Sequence, residues 1–114
     1  MPLLKLTTSV ALGEKQCKEI LPALSQLVAE CTGKPEAYVM IVFAPAAMMM
    51  AGKEGPAAFV DFRAIGGLSE KKNKEISARV CSILSTSLGI PAERVYIAFT
   101  DVSAENWGWN GDTF

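Results

Sequence analysis

The chain contains one unit twice, and no other feature restricts its fold as much. Slid against itself by 56 residues without a gap, Leu12 falls on Leu68, Glu14-Lys15 on Glu70-Lys71 and Lys18-Glu19-Ile20 on Lys74-Glu75-Ile76. Gly33 then falls on Gly89, Pro35 on Pro91, Val39 on Val95, Ile41 on Ile97 and Phe43 on Phe99. Chance would supply only a few such identities, and these keep step with the hydrophobic pattern. Two copies are too few for a solenoid. Residues 1–114 therefore read as one domain, with an internal repeat over roughly 2–56 and 58–112.

Each half reads as strand, helix, strand. Residues 2–10 and 58–65 are short runs rich in Leu, Val, Thr and Phe, the composition of strands. In the second run Phe59, Asp61 and Arg63 share one side, and Val60, Phe62 and Ala64 the other. Residues 14–31 place Cys17, Ile20, Leu21, Leu24, Leu27, Val28 and Cys31 at helical spacing, and 70–87 do the same with Ile76, Val80, Ile83, Leu84 and Ser87. Pro22 inside the first helix should kink it or remove one hydrogen bond. Ser69 fits an N-cap, and Gly33 and Gly89 fit helix stops, each with a proline two residues on. Strands resume at 38–43 and 94–99.

A strand–helix–strand crossover pairs its strands in parallel and is right-handed in nearly all cases. Two such units side by side predict an α+β fold: a four-stranded mixed sheet with two helices on one face. These strands are apolar on both sides, so the other face also needs cover. One domain has no spare helices for it, and a second or further copy of the chain is the expected cover.

Charge and composition exclude several classes. The net charge is −1 with no basic run, which gives no support for nucleic acid or an anionic membrane as partner. The longest apolar stretch, 38–51, is about fourteen residues broken by Pro45, too short to span a bilayer. No charged n-region followed by an apolar h-region opens the chain, so the cytoplasm is the expected location. The sequence has no histidine, the commonest general base and metal ligand. Its three cysteines, Cys17, Cys31 and Cys81, form no paired metal-ligand spacing and read as buried free thiols. No metal and no cofactor is expected.

The beginning of the chain carries the chemistry. The residue behind Met1 is proline, small enough for the methionine to be trimmed, which leaves Pro2 with a free secondary amine. A free α-amino group titrates at about 7.7–8.0 in model peptides. Burial or a neighbouring cation lowers that value, toward what a general base at neutral pH needs. Two further stretches stand outside the repeat pattern. Met48-Met49-Met50 precede a turn at Gly52-Lys53-Glu54-Gly55-Pro56 and read as core or interface packing. The tail from Glu105 to Phe114 is too aromatic for a loose end, and its Asn110-Gly111 signals a turn.

Several motifs together resemble one family. The Met-Pro start, Thr32-Gly33-Lys34-Pro35, Ala64-Ile65-Gly66-Gly67, Arg94-Val95-Tyr96-Ile97 and the ending Trp107-Gly108-Trp109-Asn110-Gly111-Asp112-Thr113-Phe114 are similar to the macrophage migration inhibitory factor branch of the tautomerase superfamily, over the full 114 residues. The resemblance implies a homotrimer with an active site at each subunit boundary. It implies a phenylpyruvate-type keto–enol tautomerase, with a dopachrome-type isomerase side activity and small aromatic 2-oxo acids as substrates. Pro2 would be the catalytic base, Lys34 and the backbone of Ile65 would hold the substrate carboxylate, and Tyr96 would reach in from a neighbouring subunit. Leu3, Tyr38, Trp107 and Phe114 would line the aromatic end of the pocket. The alternative implied by the same resemblance is a secreted receptor ligand with vestigial tautomerase activity. No receptor-binding motif is legible here, and lack of a leader is compatible with non-classical secretion in that family.

The chain also departs from the family's vertebrate pattern. Ala98 stands where those members carry an asparagine that contacts the far end of the substrate ring, which favours phenylpyruvate over its 4-hydroxy form. Pro56-Ala57-Ala58-Phe59 replaces a C-x-x-C, so no thiol–disulfide activity is expected. Trp107 replaces a small aliphatic residue and should narrow the pocket mouth; with the Asn-Gly ending it resembles non-vertebrate members. Other superfamily branches dehalogenate or decarboxylate with extra arginines around the proline. Here only Arg63, Arg79 and Arg94 are available.

Overall fold

A computed structural model describes all of residues 1–114. The order is β1 (Leu3–Thr8), α1 (Glu14–Thr32), β2 (Met40–Pro45), β3 (Ala58–Ala64), α2 (Glu70–Leu88), β4 (Val95–Asp101) and a closing hairpin of β5 (Gly108–Trp109) and β6 (Asp112–Thr113). The repeat is visible even in the connections. Each helix ends on a glycine in the left-handed region, Gly33 at φ +69° and Gly89 at φ +67°, and each is followed by a single 3-10 turn behind Pro35 or Pro91. Ser69 caps α2 as expected, its hydroxyl accepting from the Lys72 N–H at 3.1 Å. At the start of α1 the Gln16 side chain instead accepts from the Gly13 N–H at 3.1 Å.

The four long strands form one mixed sheet in the order β2-β1-β3-β4. β1 pairs in parallel with β2, β3 pairs in parallel with β4, and β1 and β3 meet antiparallel in the middle. This is the doubled β-α-β arrangement expected from the repeat. Alternation along the strands decides what is buried. Leu4, Leu6, Val60, Phe62 and Ala64 are fully buried, as are Leu24 and Val28 of α1 and Ile76, Val80 and Leu84 of α2. They form one core between the sheet and the two helices.

The opposite face of the sheet has no cover within the chain. Met40 is 61 % exposed, Phe59 38 % and Tyr96 67 %. A face carrying large apolar side chains in water is unfavourable by roughly 25 cal/mol per Å² of exposed apolar surface.

α1 runs on through Pro22, which removes one hydrogen bond as expected and lies on the exposed side, where water can replace it. Other local expectations need correction. Ser87 is exposed, because the buried stripe of α2 steps by four from Ile76 through Val80 to Leu84 and drifts past it. Only Cys31 is buried among the thiols; Cys17 and Cys81 are half-buried, on the flanks of their stripes. Of the methionine run, Met48 and Met50 are half-buried and Met49 is 64 % exposed. Met50 pairs with Lys53 around a two-residue turn, Ala51-Gly52, with φ of +56° and +72°. Arg94, from the other half of the repeat, steadies this loop. Its guanidinium donates to the carbonyls of Pro56 at 2.8 Å, Lys53 at 3.0 Å and Met50 at 3.3 Å.

Ala51 is an L-residue held in the left-handed region, which costs about 1–2 kcal/mol, while a glycine there loses about 0.5–1 kcal/mol of chain entropy. Ala51→Gly is therefore expected to stabilise the protein by roughly 0.5–1 kcal/mol, read as a higher urea midpoint at unchanged slope. A lower midpoint would contradict this account of the turn.

Candidate active site

A cavity of about 510 Å³ opens at the start of β1. Pro2 and Leu3 contribute to it from the central strand, and Tyr38, Val39 and Met40 from the connection that leads into β2. The tail supplies Asn106, Trp107, Trp109 and Phe114. Sheet pairing brings these together. The Pro2 carbonyl accepts from the Met40 N–H at 3.1 Å, and Leu3 stands opposite both Met40 and Arg63. Pro2 is buried and Leu3 half-buried.

The aromatic end is built by the hairpin. Asn110 and Gly111 both have positive φ, +54° and +76°, the geometry of a two-residue turn that matches strand twist. That turn folds Phe114 back, and its N–H donates to the Trp107 carbonyl at 3.1 Å. Trp109 and Phe114 stack with centroids 5.4 Å apart and planes 13° from parallel. Tyr38 meets both edge-on, at 5.6 Å and 6.2 Å. Such contacts hold rings in place beyond simple area burial.

The polar end lies at the N-terminus. The amine of Met1 is held below the ordinary α-amino range, first by burial and then by the charge of Lys34. Both causes disfavour the protonated form. Removal of Met1 would pass the amine to Pro2, one residue deeper. Lys34 is brought to this region by the sharp stop of α1 at Gly33, and its ammonium donates to the Ile65 carbonyl. Gly67, at φ +78°, lies against its stem; a Cβ there would stand in ordinary van der Waals contact, 3.4 Å from Lys34 Cε.

Of the residues singled out in the sequence, Pro2, Leu3, Tyr38, Trp107 and Phe114 line one cavity. Lys34 and Ile65 are bonded to each other beside it. Tyr96 is not part of it. It stands opposite Phe59 on β3, which stands opposite Thr7 on β1. Strand spacings place it about 20 Å from Pro2 of the same chain. Among the cavity residues that escaped the sequence reading are Trp109 and Arg63. Trp109 was visible only as part of an aromatic tail, though its place beside the Asn-Gly turn signals its role. Arg63 was placed on the outer side of β3, but its register with Leu3 could not be read. Its guanidinium is held by both oxygens of Asp61, at 3.2 and 3.0 Å.

Comparison with known proteins agrees with this fold. The family model for macrophage migration inhibitory factor (MIF) matches residues 1–114. The chain belongs to the macrophage migration inhibitory factor family. It is 37 % identical to the macrophage migration inhibitory factor of Xenopus tropicalis, over all of this chain and 99 % of that one. It is 35 % identical to the macrophage migration inhibitory factor homolog of Trichuris trichiura, over the whole of both. Among solved structures it resembles the macrophage migration inhibitory factor homologue of Prochlorococcus marinus, with a TM-score of 0.94 and 40 % identity over 98 % of each chain. The Toxoplasma gondii macrophage migration inhibitory factor gives a TM-score of 0.95 at 30 % identity, over 98 % of this chain and 99 % of that one. The family's fold is thus the fold of this chain.

The electrostatic account of the N-terminal amine has a direct check. Lys34→Ala removes one of the two causes that lower its pKa, so the amine should titrate at higher pH than in the unaltered protein. Burial, the larger cause, remains, so the value should stay below that of a model peptide. A pH titration of the amine followed by NMR measures it; an unmoved or lowered midpoint would contradict the role given to Lys34.

Proposed function

We propose that this protein is a cofactor-independent keto–enol tautomerase of phenylpyruvate-type 2-oxo acids, with Pro2 as general base once Met1 has been removed. The observation that carries this reading is the meeting of three features at one place. A terminal amine with a lowered pKa, a cation beside it and a set of stacked aromatic rings share one end of the sheet. Tautomerisation asks for little more. The neutral amine of Pro2 takes a proton from the enol hydroxyl and returns one to the adjacent carbon, ending as it began. Lys34 holds the carboxylate with the donors not committed to Ile65. Leu3, Tyr38, Trp107 and Phe114 receive the aromatic ring.

In this reading the working form is a homotrimer, and Tyr96 serves the pocket of a neighbouring copy. Two observations support that. The outer face of the sheet is apolar and open, and Tyr96 stands on it, 67 % exposed and far from Pro2 of its own chain. Ala98 lies on the same strand two residues on, with no polar group to offer a 4-hydroxyl.

Purified protein, with loss of Met1 from the 12.2 kDa chain confirmed by intact mass, should sediment as three chains and ketonise phenylpyruvate faster than its 4-hydroxy derivative. Pro2→Gly should lower kcat/KM by a factor of about 10²–10⁴, the contribution of a positioned base, with the trimer intact. An inactive wild type lacking Met1 overturns the enzymatic reading for this substrate class. A fully active Pro2→Gly protein overturns the role of Pro2.

A further inference from the structure

The peptide unit between Ile65 and Gly66 is gripped at both ends. Its carbonyl accepts from the Lys34 ammonium, and its N–H donates to Oδ1 of Asp101 at 2.9 Å. A carboxylate, one peptide plane and an ammonium thus stand in line. Charge-assisted hydrogen bonds of this kind are about twice as strong as neutral ones. The loop that carries the peptide cannot hold itself. Gly66 and Gly67 have φ of +66° and +78° and no side chains to pack, and glycine moves freely among such conformations. Asp101, by contrast, is fixed. It ends β4 in register with Ala64, and the next residue's N–H, that of Val102, donates to the Ala64 carbonyl at 2.8 Å.

We infer that Asp101 is a positioning residue for the substrate-anchoring cation: it orients the Ile65–Gly66 peptide, and the peptide carbonyl sets where the Lys34 ammonium stands. The carboxylate of Asp101 does not touch substrate. It acts on a lysine whose stem runs past Gly67, a residue with no side chain to confine it. A misplacement of about 1 Å at a binding group is enough to be felt strongly. The link from peptide to substrate binding rests on the tautomerase reading; the link from Asp101 to the peptide does not.

The test compares wild type, Asp101→Ala, Asp101→Asn, Lys34→Ala and the Asp101→Ala/Lys34→Ala double variant. Kinetics on phenylpyruvate and hydrogen exchange at the Gly66 amide are both followed. Asp101→Ala should raise KM about tenfold, leave kcat within twofold and speed Gly66 exchange at least tenfold. Asp101→Asn keeps the acceptor oxygen and should stay within twofold of wild type in both measurements. In the Lys34→Ala background the Asp101→Ala change should add nothing to KM. An unchanged KM in Asp101→Ala, or penalties that multiply in the double variant, overturns the inference. A wild type that does not ketonise phenylpyruvate sinks the tautomerase reading alone. Gly66 exchange then decides for Asp101: faster in Asp101→Ala upholds its hold on the peptide, unchanged overturns it.

Discussion

β1 is the strand on which the rest of the structure depends. Like β3, it hydrogen-bonds to its own repeat on one side and to the other repeat on the opposite side, and of the two central strands it alone begins at the N-terminus. A parallel pair with β2 closes the first β-α-β unit, and an antiparallel pair with β3 joins the two units into one sheet. Because both neighbours fix its register, the residues just ahead of Leu3 are held in place too. An N-terminus is usually the loosest part of a domain unless something ties it down. Here it is tied by a central strand, and that converts a chain end into a buried, defined position.

The same arrangement separates the two faces of the sheet by task. The face toward α1 and α2 is filled by the fully buried side chains of β1 and β3 and leaves no room for chemistry. The outer face bears Met40, Phe59 and Tyr96 together with the Asp61–Arg63 pair. It is neither a normal solvent surface nor a packed interior. In the proposed trimer, such a face is where copies of the chain would meet.

At the end of β1 the molecule gathers contributions from segments far apart in sequence. Lys34 comes from a helix stop, Ile65 from the end of β3, Asp101 from the end of β4, and the aromatic rings from the tail. Three of these are joined in one line of hydrogen bonds, and the fourth is shaped by its own hairpin. Arg63 adds a second cation at the cavity, but it is occupied with Asp61, whereas Lys34 is bonded to a neutral carbonyl. The charge that lowers the pKa of the terminal amine is that of Lys34.

Much of this was legible in the sequence, for physical reasons. The repeat set the doubled β-α-β arrangement, since period and spacing are local properties of the chain. Helix stops at Gly33 and Gly89, the Ser69 cap and the Asn110-Gly111 turn were readable because each depends on backbone geometry that few residues accept. Misreadings came where packing overrode a local rule: Ser87 lies one step off its stripe, and Cys17 and Cys81 sit half-buried on the flanks of theirs. The cavity itself was only partly visible. Resemblance pointed to Pro2, Lys34 and Tyr38, but that Arg63 faces Leu3 depends on strand register, a long-range property absent from either segment alone. The sequence by itself determined the units, their ends and the residue types able to do chemistry, because those follow from interactions a few residues apart. Only the tertiary structure decided that Lys34, the Ile65–Gly66 peptide and Asp101 stand in line beside a buried N-terminus, because that alignment is created by the pairing of three strands.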